Sequence, residues 1–261
     1  MTNSLNERFK DCNYEIQFPN STSQLDQDEE WFMLSNGKEK RKVRLHDYKT
    51  LYEIPNLYEE VVYHQLKCKS PSVVCGILKE EMDNNGKEFS SFRALDFGAG
   101  NGIVGEQLQK SIGCDELVGV DIIPEARDAA QRDRPDTYDG YYVMDLSHPS
   151  EKEKEKLQEW KFNILVTVAA LGFNDIPTCA FVNAFNLIES GSWVAFNIKE
   201  KFLSKEDNSG FKETILEMMK DSIEVVNNKR YCHRLSINGS PIYYKVIVAR
   251  KKNHFHLCTE E

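Results

Sequence analysis

The run Ala94-Leu95-Asp96-Phe97-Gly98-Ala99-Gly100-Asn101-Gly102 constrains the fold of this chain more than any other stretch. An apolar segment ends on an acid, alternating glycines follow, and a helical pattern opens at Ile103. Glycine turns where a Cβ would collide, and a new helix points unpaired N–H groups at whatever lies before it. The sequence therefore predicts a strand, a tight turn and a helix, with a ligand seated on the turn.

The surrounding sequence supplies the rest of such a fold. From Phe92 onward, short apolar runs alternate with helical patterns, the signature of βαβ units around a parallel sheet. The expected strands are Arg93-Phe97, Leu117-Asp121, Tyr141-Met144, Phe162-Val168 and Trp193-Ile198. Helices are expected over Ile103-Ile112, stopped by Gly113, and over Pro124-Arg132, which starts on a proline. Two more run over Glu151-Trp160, where Ser150 and Glu153 form a capping box, and over Pro177-Ile188 before Gly191. A further helix carries Phe211, Ile215, Met218 and Met219 on one face. The strands Arg230-Ile237 and Ile242-Arg250 then close a hairpin at Asn238-Gly239, giving seven strands in an α/β fold.

Before this region, residues 1–45 are polar and show neither helical nor strand period, so they are expected to form a partly ordered extension. Residues 46–90 are expected to be helical and to cap the site. One helix begins near Asn56, and another takes Ser70 as its N-cap with Pro71 in its first turn. Residues 91–252 form the main domain and 253–261 a tail.

Spacing and charge narrow the ligand. A dinucleotide fingerprint, G-x-G-x-x-G, would continue Gly98 and Gly100 with a glycine at the position of Ile103, and it binds a pyrophosphate that Asp96 would repel. A cationic ligand suits the acid, and S-adenosylmethionine carries a sulfonium and an amino group. Asp121 follows the last turn glycine by about twenty residues, the separation at which an acid meets ribose hydroxyls. Asp145 ends the third strand, where it can accept from the exocyclic amine of an adenine. Any one of these residues is equally a structural turn or cap; the ordered set of acidic strand ends favours the cofactor.

Other classes of partner are disfavoured. The net charge of -9 opposes a phosphate backbone, so no nucleic-acid partner is expected. The basic run Lys38 to Arg44 reads as a solvated surface. No stretch approaches the roughly 18 apolar residues that span a bilayer, and Met1 to Lys10 has no apolar signal core, so no membrane association is expected. Seven scattered cysteines without C-x-x-C spacing fit reduced thiols in a cytoplasmic protein, with neither a disulfide framework nor a metal site. His254 and His256 lack a third ligand.

At this point the chain resembles the class I S-adenosylmethionine-dependent methyltransferases, whose first motif Leu95 to Gly102 matches. Ala169-Ala170-Leu171-Gly172-Phe173, Phe181-Val182-Asn183-Ala184-Phe185, Trp193 to Glu200 and Arg230 to Leu235 are similar to the methyltransferase-like group of the Williams-Beuren region type. The likeness covers roughly residues 45 to 250. It implies a Rossmann-like seven-stranded sheet, mostly parallel with an antiparallel last strand and helices on both faces. It also implies a cofactor site made of Asp96, Gly98, Ala99, Gly100, Gly102, Asp121, Ile122, Asp145, Leu146 and Ala169, with Tyr52 and Tyr48 closing it from an N-terminal helix. Asn163 departs from the family's usual Asp, with a structural consequence expected.

The acceptor is not legible. Val168-Ala169-Ala170-Leu171 stands where methylases of planar amines resemble one another in an Asn/Asp-Pro-Pro-aromatic motif, which leaves a small molecule or a protein side chain. Asn197, Lys199, His148 and His233 lie near the expected rim. Lys199 reads as a solvated charge and the histidines as surface or packing residues, so no catalytic residue is assigned. A noncatalytic binding module on the same fold, and a nicotinamide oxidoreductase, are the competing readings. Oligomeric state is not predicted.

Overall fold

The computed structural model describes residues 13–19, 25–85, 89–173 and 175–256. The expectations for Met1 to Lys10 and for the end of the tail lie outside these residues. The apolar runs form strands β4 (Arg93–Phe97), β5 (Glu116–Asp121), β6 (Gly140–Val143), β7 (Ile164–Leu171), β8 (Trp193–Lys199), β9 (Ile223–Leu235) and β10 (Pro241–Lys251). They join one sheet in the order β6-β5-β4-β7-β8-β10-β9. Strands β4 to β8 pair in parallel, and β10 is antiparallel to both its neighbours. The antiparallel last strand is thus inserted between β8 and β9.

The strand order explains the apolar runs. A parallel sheet covered on both faces buries every side chain, which removes the alternation seen in half-exposed strands. In β7 all residues from Ile164 to Val168 are buried. One face packs on α7 (Thr178–Asn186) and α8 (Phe211–Asp221) through Phe181, Phe185 and Phe211. The other packs on α3 (Ser70–Asn84) and α4 (Ile103–Ser111) through Val74, Leu78, Val104 and Leu108. Each fully buried phenylalanine or leucine contributes about 1.5–3 kcal/mol.

Helix ends follow local chemistry. The Ser150/Glu153 capping box is present at α6 (Glu151–Gln158), and Pro124 opens α5 (Pro124–Asp133). At the hairpin the positive φ belongs to Gly239 alone of the pair, at 86°. The reading of Ser70 as an N-cap is corrected. Lys69 takes that position, and the Ser70 hydroxyl lies 2.5 Å from His233 Nδ1 and 2.7 Å from Tyr231 Oη inside the protein.

The polar N-terminal region also differs from the reading that found no period in it. Its described residues include β1 (Glu15–Gln17), β2 (Trp31–Ser35) and β3 (Lys40–Arg44), a three-stranded antiparallel sheet. β3 is the basic run. The inward residues Phe32, Leu34 and Val43 pack on α1 (Tyr48–Glu53) and on α2 (Leu57–Glu59), which continues as a π-helical Glu60–Gln65. Strands of three to five residues are too short to display a period. Glu30 fastens this layer to the main sheet. It is 1% exposed, its carboxylate accepts from Arg234 Nη2 at 2.5 Å, and it accepts the Ile237 amide at 2.8 Å.

Candidate functional site

In the sheet, the chain leaves β4 for β5 and β6 on one side, and β7 and β8 lie on the other. Such a switch point opens a crevice at the carboxyl ends of the strands, where ligands of open α/β sheets bind. A cavity of about 270 Å³ lies there, with α1 as its lid. The structure brings eight of the twelve expected site residues to its wall: Tyr48, Tyr52, Gly98, Asp121, Ile122, Asp145, Leu146 and Ala169. Tyr58 joins Tyr48 and Tyr52 on the lid side.

The glycine loop is shaped for this place. Gly98 has φ 77°, and a Cβ there would stand 2.9 Å from Ala170 Cβ across the switch point. Gly100 lies under the lid, since its Cβ would meet Tyr52 Oη at 2.6 Å. Gly100 and Gly102 do not reach the cavity wall; Gly102 caps α4 in a left-handed conformation, φ 87°. Ala99 is buried, with its amide given to Val120 O.

Asp121 ends β5 and is 9% exposed. Its Oδ2 accepts from the Gly100 amide and its Oδ1 from the Ile123 amide, each at 2.9 Å. Burial raises its carboxyl above the ordinary value against those bonds. Next to it Ile122 is 57% exposed, an unusual setting for a large apolar side chain and one that a flat ring would cover. Asp145 is exposed, and the Ser147 amide, which donates to it at 2.8 Å, lowers its pKa. Asn183 of α7 donates to Leu146 O at 2.8 Å and holds this segment in place.

Asp96 behaves otherwise. It alternates with Leu95 and Phe97, so its side chain lies on the α4 face of the sheet, away from the cavity. There it is 0% exposed, and Oδ2 accepts from Tyr138 Oη at 2.7 Å. Its Oδ1 has no hydrogen-bond partner among the described residues. Burial, with the negative charge of Asp121, raises its carboxyl to about 7, against the Tyr138 hydrogen bond.

The far wall is made by an irregular end of β7. Between Thr167 and Leu171 the register against β8 slips, so Val168, Ala169 and Ala170 bulge into the cavity. Ala169 takes φ 57°, a left-handed conformation rare outside glycine. Asn197 of β8 holds it there by accepting the Ala169 amide at 2.6 Å. Asn197 in turn donates to Tyr231 Oη at 2.6 Å and to Ser70 Oγ at 3.1 Å.

Of the rim residues, Asn197 is therefore a buried strut and His233 a packing residue, 3% exposed and stacked on Tyr244. Burial and the nearby Arg234 and Lys199 charges push His233 well below its ordinary value. Lys199 is not a solvated charge: it pairs with Asp26 at 3.0 Å, with its side chain 17% exposed. His148 is exposed. Asn163, at the opposite end of the sheet, accepts the Arg93 amide and donates to Ser91 O, a structural role.

Asp175 and His46 were missed by the sequence reading. Asp175 lines the cavity beyond β7, and its Oδ2 lies 3.3 Å from His46 Nδ1 and 3.4 Å from Tyr48 Oη. Neither residue carries a local signal, because the contact joins segments far apart in the chain. Among the described residues no three His, Cys, Asp or Glu side chains form a metal-binding group, and no helix is long and apolar enough to cross a membrane.

No protein-family model and no curated protein sequence matches this chain. Its fold is similar to that of an S-adenosylmethionine-dependent methyltransferase from Clostridium acetobutylicum, at 12% identity and a TM-score of 0.52, over 76% of this chain and 97% of that chain. It also matches the N-methyltransferase NodS from Bradyrhizobium japonicum, solved with S-adenosyl-l-homocysteine, at 15% identity and a TM-score of 0.49, over 69% of this chain and 86% of that one. At these identities the likeness is one of fold. The chain has the Rossmann-like seven-stranded architecture found in solved S-adenosylmethionine-dependent methyltransferases.

Proposed function

We propose that this protein is a methyltransferase that uses S-adenosylmethionine, and that its acceptor is a small molecule. The reading rests on one observation: a cavity at the switch point has a buried acid at the β5 tip, an exposed acid after β6 and an exposed apolar side chain between them. An adenosine has a matching set of groups. Its ribose hydroxyls suit Asp121, its exocyclic amine suits Asp145, and its flat ring suits Ile122. The glycine loop and the bulge at Ala169 leave room for the amino-acid end, and Tyr48 and Tyr52 of α1 cover it. The resemblance of Leu95 to Gly102 to the first motif of class I methyltransferases supports the same reading, as does that of Trp193 to Glu200 to the methyltransferase-like group of the Williams-Beuren region type.

When bound, the sulfonium supplies an activated methyl group with a neutral thioether as its leaving form. The protein contributes position and exclusion of water. Holding two reactants at attack distance is worth up to about 7–11 kcal/mol. The enclosure by α1 removes solvent that competes for the carboxylates. An acceptor bound through a protein chain is disfavoured by the lid, which a small molecule can pass beneath.

Isothermal titration with S-adenosylmethionine and S-adenosylhomocysteine tests the cofactor. Replacing the hydrogen-bonded, buried carboxylate by Asp121→Ala removes two charge-assisted acceptors, each worth about 1.5–3 kcal/mol, and is expected to weaken binding by at least about tenfold. Unchanged affinity in that variant, or no affinity in the parent protein, refutes the site. Transfer of a tritiated methyl group into a metabolite extract then reports turnover.

A further inference from the structure

The cavity has two ends, and the cofactor reading uses one of them. Strand order places Asp145 and Asp121 beside β6 and β5, and Asp175 beyond β7, with β4 between. Adjacent strands lie about 4.8 Å apart, so roughly 10 Å separates the β5 tip from the β7 tip. A nucleoside held by Asp121 and Asp145 leaves the β7 end to the second substrate.

That end is built around one carboxylate. His46, in the segment before α1, and Tyr48, in its first turn, both meet Asp175 Oδ2. His46 is itself wedged against Phe173, ring centroids 5.3 Å apart, and its side chain is 10% exposed. Oδ1 of Asp175 has no hydrogen bond from any described residue, and the residue faces the cavity. The described residues lining this cavity include three aspartates and three tyrosines, and no Lys, Arg or His. Among these lining residues a carboxylate on the acceptor would meet only like charge, and His46 is already held on Asp175 Oδ2. A nitrogen that carries hydrogens can donate to Asp175, and its positive charge is favoured by the tyrosine faces. A neutral hydroxyl can also donate to Asp175, but it brings no positive charge to the carboxylate or to the tyrosine faces.

We infer that the acceptor is an amine, and that Asp175, tethered by His46 and Tyr48, binds its nitrogen as the ammonium and then takes one proton on Oδ1, which frees the lone pair that attacks the methyl carbon as the C–S bond breaks and its electrons leave with the thioether sulfur. The inference rests on the methyl-donor reading above. His46 and Tyr48 are positioning residues. They fix Oδ2, so that Oδ1 presents to the acceptor in one orientation, and they make closure of α1 and placement of the acceptor one event.

The test is binding rather than turnover, with the full chain saturated by S-adenosylhomocysteine. The probes are 2-phenylethylamine, 2-phenylethanol and 3-phenylpropionate, matched in ring and reach, followed by NMR at the Tyr48 and His46 ring signals. The attraction between an ammonium and the Asp175 carboxylate, added to the hydrogen bond that the alcohol can also donate, predicts that the amine binds at least about tenfold tighter than the alcohol, with the carboxylate weakest. In Asp175→Asn the ratio of amine to alcohol is expected to fall to about twofold or less, for the same reason. Because the ratio is internal to each protein, a general loss of affinity does not imitate this result. Equal binding of amine and alcohol by the parent protein, or an unchanged ratio in Asp175→Asn, overturns the inference while leaving the donor site intact. Failure to bind S-adenosylhomocysteine at all overturns the donor reading and this one with it.

Discussion

Asp96→Asn is expected to stabilise the protein, and to do so more as the pH rises. The carboxyl is fully buried, has one side-chain hydrogen bond, from Tyr138, and is raised from 3.8 to about 7. Between those values the folded protein holds a proton that the unfolded chain has released, so stability falls as pH rises through the window and the loss is complete above the folded value. Each unit corresponds to about 1.4 kcal/mol, so the full penalty well above pH 7 is about 4 kcal/mol, of which about 2 kcal/mol develops between pH 5 and pH 7 and about 3 kcal/mol between pH 5 and pH 8.5. Asparagine keeps the shape and still accepts from Tyr138, yet bears no charge. Urea unfolding at pH 5 and pH 8.5, followed by fluorescence of the three tryptophans, Trp31, Trp160 and Trp193, measures the difference between variant and parent at each pH. That difference is expected to move by about 3 kcal/mol in favour of the variant at the higher pH. A difference that does not change with pH, or a variant that loses ground at pH 8.5, refutes the assignment of Asp96 as a buried and poorly compensated acid.

Two other substitutions probe the supports of the cavity. Asn197→Ala leaves the Ala169 amide without its acceptor, while Ser70 and Tyr231 still bond each other, so a loss of about 1–3 kcal/mol in urea unfolding is expected, together with weaker S-adenosylhomocysteine binding as the bulge relaxes. Glu30→Ala strands Arg234 in the interior at a cost of about 3–5 kcal/mol, and adding Arg234→Met is expected to recover much of it in the same denaturation assay.

The legible part of this protein is the part encoded by neighbours in sequence. Turns needing positive φ at Gly98, Gly100 and Gly102, the capping box at Ser150 and Glu153, and apolar runs such as Ile164 to Val168 act over a few residues. They sufficed to identify the seven-stranded α/β fold and the strand tips where Asp121 and Asp145 stand. The three short N-terminal strands escaped because few of their positions face the small core they share.

What only the tertiary structure decided is which side chains face each other across the crevice. Asp96 belongs to the same motif as Gly98, but the two-residue alternation of a strand turns it to the opposite face, where Tyr138 meets it. Lys199 reads as a surface charge until Asp26 is folded against it. Asn197, buried at the edge of the bulge, selects the backbone of Ala169. Asp175 gains its setting from His46 and Tyr48, more than a hundred residues earlier in the chain. Propensity, capping and periodicity are local energies, whereas the pairing of distant groups is settled by how the layers pack.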